Sequence, residues 1–572
     1  MVQFASAQEM VHSLDQGKLA PFVRGAALTL MIITLSAYYI FIQFRGLSDP
    51  DAMDKAQIAR SIAAGEGFST KYVRPLALWQ LEAAGKSMPE GNFPDFTQQP
   101  LAPLLYALAL WLVKGSWEMN PHDIIYMGDR IIVIWGTFFF LLAAIVWFFV
   151  ARELFDDKLA RLSLAILFLT DLLWQFAISG LPQTLLLLLF GCTIWLTLKA
   201  MHGGYADHRN GRWALPLAGL FFGLMMLAHG LAVWIFLGWL IFVGILFRRR
   251  LIPVLIAIAV CAAIVAPWLA RNYSVCGNPF GLAVFTALYS SSPPEESLYR
   301  QVTPDLLGAT RGIRGKLKNG VINQAGDLFK YFGLNIVAVA FFFSLLHKFK
   351  DPRVSNLRWG VLGMWIAAFM GMALYGLHGK EVGPNQLHVL FLPLFVFYGL
   401  AFLLVLWNRI DIENYLFDKV FTGFLLILVA IPMLSTIFLS SNPPIKWPPY
   451  VPPFFAVLGK WFNEHEILCS DMPWAVAWYA NRKTLLLPDT PRTLTRISDY
   501  RVLGNSIVGL YLTPLTGNKP LVSQIYKGTY REWAGLIVRP PQSQGFFLKS
   551  FTPLPLDGEC IIFADRERWM NN

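Results

Sequence analysis

Residues 131–150 read IIVIWGTFFFLLAAIVWFFV, from Ile131 to Val150: twenty positions without a charge, followed directly by Ala151 and Arg152. The hydrocarbon core of a bilayer is about 30 Å thick, so a helix of about 20 apolar residues crosses it with every lipid-facing backbone group bonded inside the helix. Similar runs recur along the chain. They are Gly25 to Ile42, Ile131 to Val150, Leu162 to Ile178, Thr184 to Leu198, Trp213 to Ala228, Leu231 to Phe247, Leu251 to Trp268, Tyr331 to Leu346, Trp359 to Leu377, Leu387 to Trp407, and Val420 to Leu439. Composition agrees: 56% hydrophobic against 15% charged residues, with a mean hydropathy of +0.50, is too apolar for an ordinary soluble domain. The expectation is a polytopic α-helical membrane protein with about 11 transmembrane helices.

The net charge of +11 does not point to nucleic acid, because the basic residues form short clusters between apolar runs. One set of short loops holds Arg152, Lys158, Arg161, Lys199, Arg209, Arg212, Arg248, Arg249, Arg250, Lys348, Lys350, Arg353, Arg358, Arg409 and Lys419, while the opposite short loops offer only Lys380. With Lys18 and Arg24 before the first run, the positive-inside rule places the N-terminus in the cytoplasm, and an odd number of crossings places the C-terminus outside. The first run is long and lacks a small-residue cleavage site, so it reads as a signal anchor.

Three exterior segments exceed simple turns: residues 45–129, 270–330 and 441–572. The first two are loops of a transmembrane domain spanning residues 1–440. In the first, an amphipathic helix is expected up to Ala64, and a second, Leu101 to Val113, is too short to span and suits the outer interface. After the Pro-rich linker Asn442 to Pro453, residues 441–572 form a small exterior (periplasmic) C-terminal domain. There, β-type runs at Ile467 to Cys469, Thr484 to Leu487, Ser506 to Leu512 and Cys560 to Phe563 alternate with helical stretches at Trp474 to Ala480 and Thr490 to Tyr500, predicting α/β layering. Trp474, Trp478 and Tyr479 fall at helical spacing, as core residues do, although such rings also stack on sugars. Cys192 and Cys261 lie within spans; Cys276, Cys469 and Cys560 face outward, and a disulfide between Cys469 and Cys560 is one pairing this allows.

The chemistry-bearing residues gather at the start of the first exterior loop, where Ser48-Asp49-Pro50-Asp51-Ala52-Met53-Asp54 puts Asp51 and Asp54 on one helix face. Two readings stand side by side. Ser or Asp as N-cap, Pro50 at the first helical position and acids in the first turn make a helix start; the same carboxylates make a catalytic site. Exterior cations that could meet a phosphate are Lys71, Arg74, Arg271 and Arg60, with Arg74 and Arg271 the preferred pair; the plain alternative is headgroup contact. Asp171 and His229 are polar groups within spans, read as structurally satisfied. No Cys/His cluster has metal-ligand spacing, and neither a phosphate loop nor a dinucleotide fingerprint occurs, so no cofactor is expected and any divalent-metal requirement is left open.

The stretch Asp51-Ala52-Met53-Asp54-Lys55-Ala56-Gln57-Ile58-Ala59-Arg60, with the stop Gly65-Glu66-Gly67-Phe68, resembles the signature of the GT-C superfamily of membrane glycosyltransferases, whose members include protein O-mannosyltransferases and lipid A aminoarabinose transferases. In that family an Asp, usually followed by Glu, opens the first exterior loop; here Asp51 takes the Asp position and Ala52 departs from the Glu. Further segments fall in the family's order: Gln99-Pro100-Leu101, Pro267-Trp268-Leu269-Ala270-Arg271-Asn272-Tyr273 with Gly277-Asn278-Pro279, Leu390-Phe391-Leu392-Pro393, and Asp471-Met472-Pro473-Trp474 through Tyr479.

The resemblance implies inverting transfer of a sugar from a polyprenyl-phosphate donor, embedded in membrane lipid, to an acceptor lipid, glycan or protein at the exterior face of a bacterial inner membrane. It makes Asp51 the catalytic base, with Asp49 and Asp54 beside it; the exterior cations Arg74, Arg271, Lys71 and Arg60 could then meet the donor phosphate, and Arg271 falls in the family's Arg-Asn step. Two other classes share the hydropathy pattern. A secondary transporter would place broken helices and repeated halves at the midplane, and a non-catalytic membrane subunit would keep the fold without the chemistry.

Overall fold

The computed structural model describes residues 20–89, 91–113, 125–202, 213–247, 251–289, 293–377, 379–409, 415–439, 452–517, 522–538, 545–550 and 561–569. The chain divides into two compact units, Met1–Arg45 and Gly46–Asn572. The first contains the helix Ala20–Ala37, which runs on through a wider turn over Tyr38–Gln43.

Among the described residues seven helices are long and apolar enough to cross a membrane: Gly25–Gln43, Met127–Leu154, Gln183–Met201, Ile252–Cys276, Pro352–Tyr375, His388–Asn408 and Phe417–Phe438. A bent pair, Asp157–Leu169 with Asp171–Ala177, makes an eighth if counted as one span. The remaining three runs of the hydropathy reading are shorter helices: Ala214–Ala228, Ala232–Leu246 and the nine-residue Ile336–Ser344.

The shortening has local causes. Thr170 leaves the helical region and Asp171 restarts the helix at a 64° bend, so the run Leu162 to Ile178 is two pieces. The run Tyr331 to Leu346 breaks where Gly333 and Leu334 both take positive φ, 65° and 55°. Asn335 then caps the restarted helix, its Oδ1 accepting from the Val337 and Ala338 amides at 3.0 and 3.2 Å. Its Nδ2 donates to Thr170 Oγ1 at 3.1 Å, tying the two breaks together.

Apart from the long helices, the structure holds a six-stranded sheet, in spatial order β2-β5-β4-β6-β8-β7. In chain order, β1 is Ser69–Thr70, β2 Tyr72–Val73, β3 Phe93–Pro94, β4 Ile467–Ser470, β5 Lys483–Leu486, β6 Ile507–Leu512, β7 Lys549–Ser550 and β8 Ile561–Ala564. The strands β2, β5, β4 and β6 run parallel; β8 and β7 continue the sheet antiparallel. β1 and β3 pair separately. The four long strands lie within two residues of the expected β-type runs, and the helix Pro491–Asp499 lies within the second helical stretch. Trp474, Trp478 and Tyr479 are at most 5% exposed; Trp478 and Tyr479 are core, while Trp474 also lines a cavity. What the pattern did not contain is β2: the segment of residues 45–129 supplies an edge strand, Tyr72 pairing with Thr484 and Val73 with Leu485. Two residues are too few to alternate visibly in sequence. Cys469 is buried and is bonded to no other cysteine among the described residues; Cys560, and with it the pairing between them, lies outside the described residues.

Candidate functional site

Helix Pro50–Ala63 carries the acidic residues. Asp49 is its N-cap, with Oδ1 accepting from the Asp51 amide at 2.9 Å, and Pro50 stands at the first helical position. The capping reading therefore belongs to Asp49, and the carboxylates of Asp51 and Asp54 are left for other partners. Lys55, one turn on, forms an ion pair with Asp51 Oδ2. Gln98 Nε2 donates to Asp51 Oδ1 at 2.9 Å and to Asp54 Oδ2 at 2.7 Å, and Gln57 Nε2 donates to Asp54 Oδ1 at 3.0 Å.

Asp54 is 1% exposed and is paired with Arg74, which also reaches Asp95 at 3.5 Å. Asp95 in turn accepts from the Thr97 and Gln98 amides at 3.0 and 2.7 Å. The result is a buried chain of charge, Asp54–Arg74–Asp95, with Gln98 joining it to Asp51. Only Asp51, at 19% side-chain exposure, is open to a ligand among these three carboxylates.

Electrostatics separates the two neighbouring acids of the helix start. Burial works against the Asp51 charge, but Lys55 and the hydrogen bonds from Lys55 and Gln98 outweigh it and hold its pKa below the ordinary value. At Asp49 burial dominates, only partly offset by Lys380, and the pKa is raised. Burial and then Asp54 raise Asp95, with Arg74 opposing.

The four cations expected at a donor phosphate do not converge. Arg74 is committed to Asp54 and Asp95 and lies 3.9 Å from the Tyr72 ring centroid. Arg271, half-buried, meets the Asp95 carbonyl from the other side, donates to Phe68 O at 3.2 Å and stacks on Trp268 and Phe68. Arg60 donates to the Trp478 and Ala477 carbonyls at 2.7 and 2.6 Å, and Lys71 Nζ to Asn481 Oδ1 at 2.6 Å. These last two fasten the first loop to the 477–481 turn.

Beside Asp51 lies a cavity of about 1030 Å³. Its polar end is lined by Asp49, Asp51, Lys55, Gln98, His229, Glu295 and Lys380. Its long wall is apolar, formed by Phe236, Leu237, Ile258, Val265 and Leu269 of the helices Ala232–Leu246 and Ile252–Cys276. Asp54, Arg74, Arg271, Lys71 and Arg60 are not among its lining residues, whereas Trp268 and Asn272 beside Arg271 are. His229 ends the helix Ala214–Ala228, and its Nδ1 accepts from the Leu231 amide at 3.2 Å. Asp171, the other polar residue of the spans, accepts from Thr436 Oγ1 at 3.2 Å.

Sequence reading passed over Lys380, Gln98 and Glu295 as site residues. Lys380 did carry a signal, as the lone base of the short loops that the charge pattern assigns to the exterior; it sits 53% exposed, 3.5 Å from Asp49 Oδ2. Glu295 is pushed up to about 7, chiefly by burial, with Asp49 and Asp51 adding to the shift. Among the described residues no three His, Cys, Asp or Glu side chains group as a metal-holding set.

No protein-family model matches the sequence, and no curated protein matches it. Solved structures do match in fold. ArnT from Cupriavidus metallidurans, solved bound to undecaprenyl phosphate, superposes with a TM-score of 0.53 at 12% identity, over 94% of this chain and 98% of that one. The Archaeoglobus fulgidus oligosaccharyltransferase, solved with Zn and sulfate, gives 0.53 at 12% identity, over 89% and 70%. AglB from the same organism, in complex with an inhibitory peptide and a dolichol-phosphate, gives 0.53 at 12%, over 87% and 70%. The chain thus shares the polytopic fold of these ArnT and AglB structures.

Proposed function

We propose that this protein is a glycosyltransferase that moves a sugar from a polyprenyl-phosphate donor to an acceptor lipid, glycan or protein at the exterior face of the membrane, with inversion. The observation that carries this reading is the two-ended cavity: an apolar groove between membrane helices opens at one end onto an ionised carboxylate with an exposed lysine nearby. A lipid-linked phosphate has that same division, an apolar chain joined to an anionic head. The ArnT and AglB structures were solved with undecaprenyl phosphate and dolichol-phosphate.

In the proposed step the acceptor hydroxyl oxygen attacks the anomeric carbon as the bond from that carbon to the phosphate oxygen breaks. The electron pair leaves on the phosphate, and Asp51 takes the hydroxyl proton. Lys55 and Gln98 hold Asp51 ionised, and the cap at Asp49 fixes the helix turn that carries it. Lys380, the exposed cation at the cavity, meets the charge growing on the phosphate, with Arg271 next to the wall at Trp268 and Asn272 as a second contact. Arg74, Lys71 and Arg60 act by holding the loop that carries Asp51.

The proposed topology has eleven crossings of a bacterial inner membrane, a cytoplasmic N-terminus and a periplasmic domain at residues 441–572. The bent and short helices complete the count beyond the seven long ones. Single-cysteine labelling from outside tests it, with protection expected near Gly203 and labelling near Gln99, Ser291 and Lys519. The activity is tested by incubating purified protein in lipid nanodiscs with labelled polyprenyl-phosphate sugars and a panel of acceptors. Release of polyprenyl phosphate coupled to acceptor labelling supports transfer; binding without turnover indicates a non-catalytic subunit, and vectorial uptake into vesicles a transporter.

A further inference from the structure

The sheet has a switch point. β4 leads to β5 on one side, and the chain then returns past β4 to β6 on its other side, in the spatial order β5-β4-β6 with all three strands parallel. Such a reversal leaves a crevice at the carboxyl ends of the two diverging strands, where open α/β sheets bind ligands. Here those ends are Asp471–Met472 after β4 and Thr513–Leu515 after β6. Asp471 and Thr513 clasp each other across the crevice: the carboxylate accepts from the Thr513 amide at 3.0 and 3.1 Å and from Thr513 Oγ1 at 2.7 Å.

The crevice opens onto the cavity described above, whose lining includes Met472, Trp474 and Leu515 on the sheet side and Glu295 and Tyr299 on the facing loop. That loop is pinned to the sheet by Arg300, which donates to the carbonyls of Leu487 at 2.8 Å and Pro488 at 3.1 Å, just past the carboxyl end of β5. Trp474 is 5% exposed and its indole N–H has no partner among the described residues; neither has the hydroxyl of Tyr72, whose ring meets Trp474 edge-on at 6.0 Å. A buried donor left unpaired is destabilising, and a ligand oxygen would relieve that cost.

We infer that the switch-point crevice is a carbohydrate-binding subsite, with Trp474 as its platform and Glu295 as an acceptor for ring hydroxyls. A pyranose combines an apolar C–H face, which suits indole, Met472 and Leu515, with hydroxyl oxygens for the indole N–H and hydroxyl hydrogens for the carboxylate. An extended peptide is the poorer occupant, because strand addition needs a free sheet edge and the crevice lies between strands inside the sheet. The assignment of this ring to the acceptor, rather than to the donor's sugar, rests on the transferase reading; the subsite itself does not.

The test uses the full-length protein in nanodiscs, saturation-transfer NMR with a panel of methyl glycosides in the presence of undecaprenyl phosphate, and a separate measurement of undecaprenyl phosphate binding. At least one glycoside should bind the wild type, Trp474→Phe should bind it about fivefold more weakly through loss of the N–H, and Trp474→Ala more weakly still. Undecaprenyl phosphate binding should be unchanged in Trp474→Phe. Absence of glycoside binding to wild type, equal binding by the Phe and Ala variants, or a parallel loss of undecaprenyl phosphate binding would each overturn the subsite. Trp474-dependent glycoside binding in a protein that ignores undecaprenyl phosphate would support the subsite and sink the transferase reading.

Discussion

Gln98 Nε2 donates to Asp51 Oδ1 at 2.9 Å, and the same nitrogen reaches Asp54 Oδ2 at 2.7 Å while the Gln98 amide donates to Asp95. One neutral side chain thereby joins an open carboxylate to a buried ion network. Because its hydrogen bond is part of what holds the Asp51 pKa down, Gln98→Leu should raise that pKa. Asp51 must be ionised to take a proton, so the acid limb of the transfer profile should move to higher pH, with about 1–3 kcal/mol lost in stability from carboxylate oxygens left unpaired. A pH profile that is unmoved while stability falls would make Gln98 purely structural.

The cap, Asp49, and the proposed base, Asp51, are different residues, which makes the two roles separable. Asp51→Asn keeps the shape and should lower single-turnover transfer by about 10²-fold or more, the scale of losing general-base help. Asp49→Ala removes the bond to the Asp51 amide and should cost about 1 kcal/mol of stability with a far smaller change in turnover. Thermal unfolding and single-turnover transfer on both variants check the pair, and near-wild-type turnover in Asp51→Asn removes Asp51 as the base.

Arg74 stands between two acids that are each 1% exposed. Arg74→Ala would leave Asp54 and Asp95 facing each other in a buried site, a class of change that destabilises by about 3–5 kcal/mol. Arg271, whose hydrogen bonds go to carbonyl and amide oxygens, should lose less on replacement by Ala. Denaturation midpoints in the same detergent compare them. Equal losses, with donor affinity reduced in both, would return the phosphate to the Arg74 and Arg271 pair.

Lys380 is assigned to the donor phosphate, so Lys380→Ala should weaken undecaprenyl phosphate binding by about tenfold, with a stability loss of about 1 kcal/mol at most from the 3.5 Å pair that its half-exposed ammonium makes with the buried Asp49. Affinity within error of wild type would free Lys380 from this role.

The apolar runs made the membrane architecture legible, and the acids after Ser48 located one edge of the cavity. Local patterns also reached the helix Leu101–Val113 and the four main strands within a residue or two. Sequence could not say which acid caps and which is open, because Asp49 and Asp51 both suit a helix start; that depends on Lys55 and on Gln98, 47 residues from Asp51. Nor could it see that Arg74 is neutralised, since Asp95 lies in an irregular loop with no period to place it. The wall contributed by Trp474 and Leu515 arises only when β4 and β6 become neighbours.

Asp471, clasped by Thr513, should give the sheet a measurable pH dependence. Burial pushes its pKa up to about 7, against the pull of the Thr513 and Thr516 hydrogen bonds. In the unfolded chain the same carboxyl titrates near 4, so between about 4 and 7 the folded state binds more protons than the unfolded one. Stability from this group is therefore full below about pH 4 and is lost as pH rises to about 7, the opposite of a salt-bridged carboxylate. Glu295, raised to about 7 mainly by burial, adds a slope of the same sign. Asp471→Asn keeps an acceptor for the Thr513 amide but cannot ionise, and it should flatten part of the fall in unfolding temperature between pH 5 and 7.5. Glu295→Gln should flatten a separate part. Unfolding temperatures across that range for both variants and the double variant decide it: a wild type whose stability rises with pH here, or an Asp471→Asn slope identical to wild type, would show that Asp471 is ionised throughout.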